Sequence, residues 1–219
     1  MKKKNNLSEK IRKTNEIVDQ QGMFIALLLF VGQCLAKARI QFTPFYYMKE
    51  VLTFDIPAHL TNLPDGFEFS TFNFKDVESI SKHPERVGYT GEQFVIKNFD
   101  RGDTCLGIKL DGEIAGFTWF STQENRSRLY QSTMKDNEAY LYDMFVFKAF
   151  RGYNLAPCLR YKNYEVLKGL GRDTFYSVTQ CSNTASFRFK QKLGSKAVFL
   201  GVHINIAKKW HRTLVLKKY

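Results

Sequence analysis

The sequence predicts an α+β fold, with strands and helices interleaved along one chain. Three observations carry this. Asp111-Gly112 joins two strand-like segments, residues 104–110 and 113–121, and Asp-Gly between such runs signals a tight hairpin. Residues 139–156, AYLYDMFVFKAFRGYNLA, pass from an aromatic-rich strand pattern through the loop Arg151-Gly152-Tyr153-Asn154 into a helix start. Residues 155–170 place Leu155, Leu159, Val166, Leu167 and Leu170 on one side of a helix, Gly171 stands beyond its end, and residues 174–179 return as a strand.

The other elements follow in chain order. Residues 7–38 read as mostly helical, a charged stretch with Glu9, Glu16 and Asp19 leading into the apolar run GMFIALLLFVG at 22–32. That run is shorter than the ~20 residues a membrane-crossing helix needs, and no small-x-small cleavage pattern follows it. Its apolar half can pack on the domain, in a homodimer or against a membrane surface. Residues 45–56 are rich in β-branched and aromatic side chains and read as a strand closed by Pro57. Residues 62–66 (NLPDG) form a turn, 67–74 a strand, 75–82 a short helix stopped near Pro84, and 91–99 a second helix before Arg101-Gly102-Asp103. Residues 124–137 are polar and irregular, suiting a loop over an active site, and 140–147 are the next strand. Pro157 falls in the first turn of its helix, where the missing N–H costs little. Residues 183–193 are a helix ended by Gly194; 196–206 and 213–216 finish as strands, a hairpin around Lys208-Lys209. Residues 1–60 thus form a helical extension with one strand, and 61–219 the main domain.

Composition narrows the function classes. With 44% hydrophobic and 15% aromatic residues, the 219-residue chain can bury a substantial core. Its net charge of +12 is uneven: from Arg188 to Tyr219 there is no acidic residue. Such a field favours an anionic partner, whether a polyphosphate cofactor, nucleic acid or an anionic membrane. Cys34, Cys105, Cys158 and Cys181 are widely spaced and the histidines lack metal-ligand spacing, so neither a disulfide framework nor a metal site is expected. Free, mostly buried thiols in a reducing, cytoplasmic compartment are the simplest account. Cys158, close to the 151–154 loop, has no patterned histidine partner for a nucleophilic role.

The strand-loop-helix order at 139–156 builds an anion site. The first N–H groups of a helix have no intrahelical partner, and the helix dipole adds partial positive charge there. A diphosphate is the expected ligand of this loop.

Two local motifs in this succession resemble the GNAT superfamily of acyl-CoA-dependent N-acyltransferases over residues 67–219. The first, Arg/Gln-x-x-Gly-x-Gly/Ala after a strand, reads Arg151-Gly152-Tyr153-Asn154-Leu155-Ala156, with Asn154 in place of the usual glycine. Asn tolerates left-handed conformations and is a good helix N-cap. The second, an Asn followed by a small residue, an aromatic and a Gly, is matched by Asn183, Ser186, Phe189 and Gly194.

The resemblance implies an α/β three-layer arrangement around a mixed, mostly antiparallel sheet with a splayed strand pair at the cofactor site, and acetyl-CoA or another acyl-CoA as cofactor. Residues 151–156 and Asn183 would contact it. The pantetheine arm would run along main-chain groups of Phe145, Val146 and Phe147, with an N–H near Val146 polarising the thioester carbonyl. Where many members carry a tyrosine that protonates the leaving thiolate, this chain has Lys190. Lys190 can act as donor, hold phosphate, or be a solvated surface lysine; Tyr176 is a further donor candidate. Asp143, on the strand face of Phe145 and Phe147, is the first candidate for the base that deprotonates the amine. A structural hydrogen bond is the alternative, and Glu138 and Tyr142 are weaker candidates.

The expected acceptor is a small-molecule primary amine, for which an amino sugar or another envelope-related compound suits the apolar extension and the basic C-terminus. With the apolar helix against it, the protein would sit peripherally at the inner membrane face. A nucleic-acid module, suggested by the basic tail with Phe187, Phe189, Phe199 and Trp210, lacks a recognisable binding motif, so no nucleic-acid partner is expected. A catalytically inactive scaffold on the same fold is the remaining alternative.

Overall fold

The computed structural model describes residues 2–52, 61–86, 92–207 and 209–219. The chain forms two compact units, residues 51–125 with 132–175, and residues 1–50 with 126–131 and 176–219. The domain boundary expected at residue 60 lies outside the described residues.

The unit of residues 51–125 and 132–175 carries four antiparallel strands in the order β2 (Phe67–Thr71), β3 (Thr104–Leu110), β4 (Glu113–Ser121), β7 (Glu138–Val146). The β3–β4 hairpin turns at Asp111 and Gly112, both with positive φ (50° and 82°), as an Asp-Gly turn requires. Strand β2 is shorter than its alternation suggests. Asn73 ends it by capping helix α3 (Phe74–Lys82): its side chain accepts from the Asp76 N–H (3.1 Å), while the Asp76 carboxylate accepts from the Asn73 N–H (3.3 Å). Helix α4 (Glu92–Asp100) follows; the expected residue 91 start lies outside the described residues.

Residues 124–137, expected as irregular loop, contain two short strands, β5 (Glu124–Arg126) and β6 (Gln131–Thr133), and the Met134 N–H closes the segment on the Gln123 carbonyl (2.8 Å). Helix α5 (Leu155–Gly169) lays Leu155 and Leu159 against Phe117 and Trp119, and Leu167 and Tyr164 against Leu106, Leu141 and Phe175. Leu170, expected on that apolar side, is the C-cap and is 56% exposed, because the last turn has left the sheet by then.

In the other unit, helices α1 (Lys2–Gln21) and α2 (Met23–Ala36) meet at Gly22, whose φ of +88° lets the chain break. Strand β1 (Ile40–Val51) begins earlier than expected and runs through Pro44; the expected residues 53–56 and Pro57 lie outside the described ones. It pairs antiparallel with β9 (Lys196–Ile206), which pairs in turn with β10 (Trp210–Lys218). Strand β8 (Thr174–Gln180), which belongs to this unit from Tyr176 onward, leads into helix α6 (Thr184–Lys192), and Lys208 of the last hairpin is outside the described residues. Glu16 of α1 ties this unit together by accepting from Thr184 (3.0 Å) and Arg188 (2.7 Å) of α6.

Candidate active site

The site is built from the end of β7 onward. Between Phe117↔Phe145 and Trp119↔Tyr142 the β4–β7 register slips, so Asp143 and Met144 together oppose Thr118. Asp143 takes the left-handed conformation, φ +46°, that this bulge demands. The bulge puts Tyr142 as well as Phe145 on the face of the β4 rings: Tyr142 stacks on Trp119 (6.2 Å) and Phe145 packs at a tilt against Phe117 (6.1 Å).

Asp143 meets a partner that sequence reading missed. Arg86, buried just after α3, donates from Nη2 to both carboxylate oxygens (2.8 and 2.6 Å). Its guanidinium lies 5.1 Å from the Phe117 ring centre and 5.0 Å from that of Phe145. Arg86 thus contacts both Asp143 and Phe145, although the bulge interrupts the simple alternation that predicts a shared face. Burial raises the Asp143 pKa, and the Arg86 charge and hydrogen bond work against that rise.

Tyr142 donates to Asp103 (2.7 Å); burial and that carboxylate push its phenol far up, which keeps it neutral. Glu138 accepts from the Lys135 N–H (3.0 Å). His83 packs its ring 4.0 Å from Phe147, and Glu85 accepts from the Lys148 N–H (3.1 Å), so the turn after α3 closes over the end of β7.

Strand β7 directs its backbone in alternation. The Phe147 N–H donates to the Ala115 carbonyl (3.0 Å), so it is committed to β4 and its buried ring to the core. The Val146 N–H and C=O then point to the opposite edge, and there Arg151 Nε donates to the Val146 carbonyl (3.2 Å).

After the short 3-10 turn Lys148–Phe150, Gly152 has φ +97° and Asn154 has φ +57°, ψ +27°. Asn154 thus takes the left-handed conformation that the family motif fills with glycine, and its side chain makes no capping hydrogen bond to α5. Tyr153 is half exposed and rests on Phe67 (5.4 Å). A depression of about 320 Å³ is lined by Val146, Phe150, Arg151, Gly152 and the start of α5, Asn154 to Pro157. Backbone N–H groups at a helix start, left uncapped beside a guanidinium, suit a diphosphate. Cys158 lies one turn along α5 but is buried, bonds the Thr61 carbonyl (3.3 Å), and burial raises its thiol pKa, so it is a packing residue.

Asn183 and Lys190 belong to the other unit. The Asn183 side chain caps α6, accepting from the Ser186 N–H (3.1 Å). Lys190 is buried, which corrects the solvated alternative, and its ammonium donates to the Val178 carbonyl (3.2 Å) and to the Thr179 hydroxyl. Tyr176 stacks on Tyr47 (5.1 Å) as a packing residue.

The model of the Acetyltransferase (GNAT) family matches residues 70–194, more than half of the chain. The chain belongs to the GNAT acetyltransferase family. Among curated proteins none matches it in sequence. Similar solved structures include a tandem GNAT protein from the clavulanic acid biosynthesis pathway (TM-score 0.55, 16% identity, 84% of this chain and 58% of that one). Another is a Drosophila protein (TM-score 0.56, 16% identity, 81% and 57% covered). A third is a GCN5-related N-acetyltransferase-like protein from Streptococcus suis (TM-score 0.54, 14% identity, 77% and 64% covered). The chain thus spans less than two thirds of the length of each. The GNAT fold, mixed α+β with a mostly antiparallel sheet, is the one the sequence suggested. Among the described residues no helix is long and apolar enough to cross a membrane.

Proposed function

We propose that this GNAT protein transfers an acyl group, most simply acetyl, from coenzyme A to a primary amine. The observation that carries this reading is the cradle at residues 151–156, where two positive-φ residues precede an uncapped helix start beside Arg151. The residues present fit the cofactor's diphosphate: N–H groups of the 152–156 segment and the Arg151 guanidinium would hold it. The bound thioester supplies the activated acyl group.

The chain's own residues do the rest. The Val146 N–H, turned away from β4, would donate to the acyl carbonyl, a contribution often worth about 3 kcal/mol per donor. Asp143, with Arg86 fixing its orientation, is the group proposed to take the proton from the incoming ammonium or from a water beside it. Lys190 would donate the proton to the leaving thiolate, its ammonium oriented by the Val178 carbonyl and the Thr179 hydroxyl, and Asn183 would contact the cofactor from the start of α6. The acceptor proposed is a small envelope-related amine such as an amino sugar, a reading supported by the apolar helix α2 and the acid-free basic stretch from Arg188 to Tyr219.

Titration calorimetry with coenzyme A, then a screen of amines against acetyl- and longer acyl-CoA with free thiol as readout, tests this. Binding that a diphosphate competes away, followed by thiol release with some amine, is the expected result. No coenzyme A binding overturns it, and binding without turnover across the panel favours the inactive scaffold.

A further inference from the structure

Formal charge is divided sharply between the two units. Residues 1–50, 126–131 and 176–219 hold 20 basic against 4 acidic side chains, a net of +16; the remainder holds 13 against 17, a net of −4. The positive unit also carries helix α2, MFIALLLFVGQCLA, which has no charged residue.

Helix α2 uses one face for the fold. Ile25, with Leu28 and Leu29, packs on Tyr46 of β1 and Leu200 of β9. Further along, Gly32 lies so close to Phe42 that an added Cβ would stand 2.8 Å from its carbonyl oxygen. The opposite face is open: Phe24, Leu27, Phe30 and Val31, at helical spacing, are 57%, 56%, 61% and 37% exposed.

The same sheet face continues this apolar surface. Tyr46 pairs with Leu200 and Phe42 with Ile204, so alternate β9 residues through Ile206 share the face that α2 covers. Opposite them on β10 stand Trp210, Arg212 and Leu214. Ile206, Trp210 and Leu214 are 42%, 48% and 39% exposed. Lys37 and Arg39 at the end of α2, and Arg212 between Trp210 and Leu214, are exposed cations set around the apolar side chains.

We propose that this face of α2 and β10 docks on an anionic lipid surface, with α2 lying in the interface plane. A helix of 14 residues spans about 21 Å, too short to cross the hydrocarbon but suited to lie along it. The apolar stripe enters the headgroup boundary while the flanking cations meet lipid phosphates. A second copy is the weaker occupant: a two-fold contact through this face would bring Lys37, Arg39 and Arg212 of both copies together within a unit already at +16. This reading stands apart from the acyl-transfer chemistry.

Vesicle co-sedimentation of the full chain tests it, using pure phosphatidylcholine and a phosphatidylcholine–phosphatidylglycerol mixture. The chain should sediment with the mixed vesicles and stay in solution with the neutral ones, and added salt should release it. Phe30→Glu with Leu27→Glu, and separately Arg212→Glu with Lys37→Glu, should each weaken binding at least tenfold. Unchanged thermal midpoints would show that both variants keep their fold. Failure to bind mixed vesicles at low salt, or variants that bind as the parent does, overturns the proposal. So does a dimer that Phe30→Glu dissociates while the parent ignores vesicles.

Discussion

Arg86 grips both oxygens of the Asp143 carboxylate from one guanidinium nitrogen, at 2.8 and 2.6 Å, and holds it at the left-handed bulge of β7. An ion pair this buried is strong only while both partners remain. Arg86→Met would leave a buried carboxylate without its cation, at a cost of roughly 3–5 kcal/mol, readable as a drop in the urea midpoint. Asp143→Asn keeps the shape. If the carboxylate takes the amine proton, that variant should lose on the order of 10²–10⁴ in kcat while coenzyme A affinity holds. Arg86→Lys adds a finer check: a weaker, single-pronged cation lets burial raise the Asp143 pKa further, moving the acid limb of the kcat/KM profile to higher pH. An acid limb that stays put would show that another group takes the proton.

Gly152 and Asn154 allow the cradle's backbone to be separated from its charge. An added Cβ at Gly152 meets nothing within 4 Å, so the cost of Gly152→Ala is all backbone, roughly 1–2 kcal/mol at φ +97°. Asn154→Gly, at φ +57°, should be neutral or stabilising by up to about 1 kcal/mol and should leave coenzyme A affinity within a few fold. Arg151→Glu keeps the loop and reverses the charge beside the diphosphate. Calorimetry should then show coenzyme A binding weakened more than tenfold; affinity that survives would place the diphosphate elsewhere.

Much of this was readable because it is local. The Asp111-Gly112 turn, the apolar side of α5 and the strand-loop-helix order at Arg151 each depend on residues a few positions apart. Asn73 shows a local signal misjudged: alternation extended β2 to residue 74, but the Asn73–Asp76 capping box had already begun α3. Other features had no local trace. Arg86 lies 57 positions from Asp143, and nothing in either neighbourhood marks them as partners. The bulge at Asp143 comes from the β4–β7 register, and the neighbours of Lys190 in sequence leave donor, phosphate-holding and surface readings open, because the carbonyl and hydroxyl that bury it come from β8.

Gly107 marks where the β3 backbone meets a ring. A Cβ there would stand 1.8 Å from the Phe72 ring edge, and Phe72 is itself 2% exposed, with no open side to move toward. Gly107→Ala should therefore destabilise by about 1–3 kcal/mol, through displacement of Phe72. Gly112→Ala gives the contrast: its Cβ would meet open space, and its cost comes from φ +82° alone. Urea unfolding of the pair should show the larger loss at Gly107 together with altered fluorescence of the neighbouring core; equal losses would mean Phe72 yields freely.

His203 links stability to pH. The Thr213 hydroxyl donates its one proton to the Leu129 carbonyl (2.7 Å), so at 3.0 Å it must accept from His203 Nδ1, which fixes the neutral tautomer with the proton on Nδ1. Burial lowers the His203 pKa, and His211 and Arg128 lower it further. The unfolded chain then binds a proton that the folded one refuses, between the depressed folded value and the ordinary histidine value near 6.5. The contribution of His203 is therefore intact above that ordinary value and is lost as pH falls below it. Thermal midpoints should drop between pH 7.5 and 5.5, and His203→Gln should flatten that slope while its amide nitrogen still donates to Thr213. A slope that His203→Gln leaves unchanged would assign the dependence to another histidine, and His211→Gln is the variant to measure beside it.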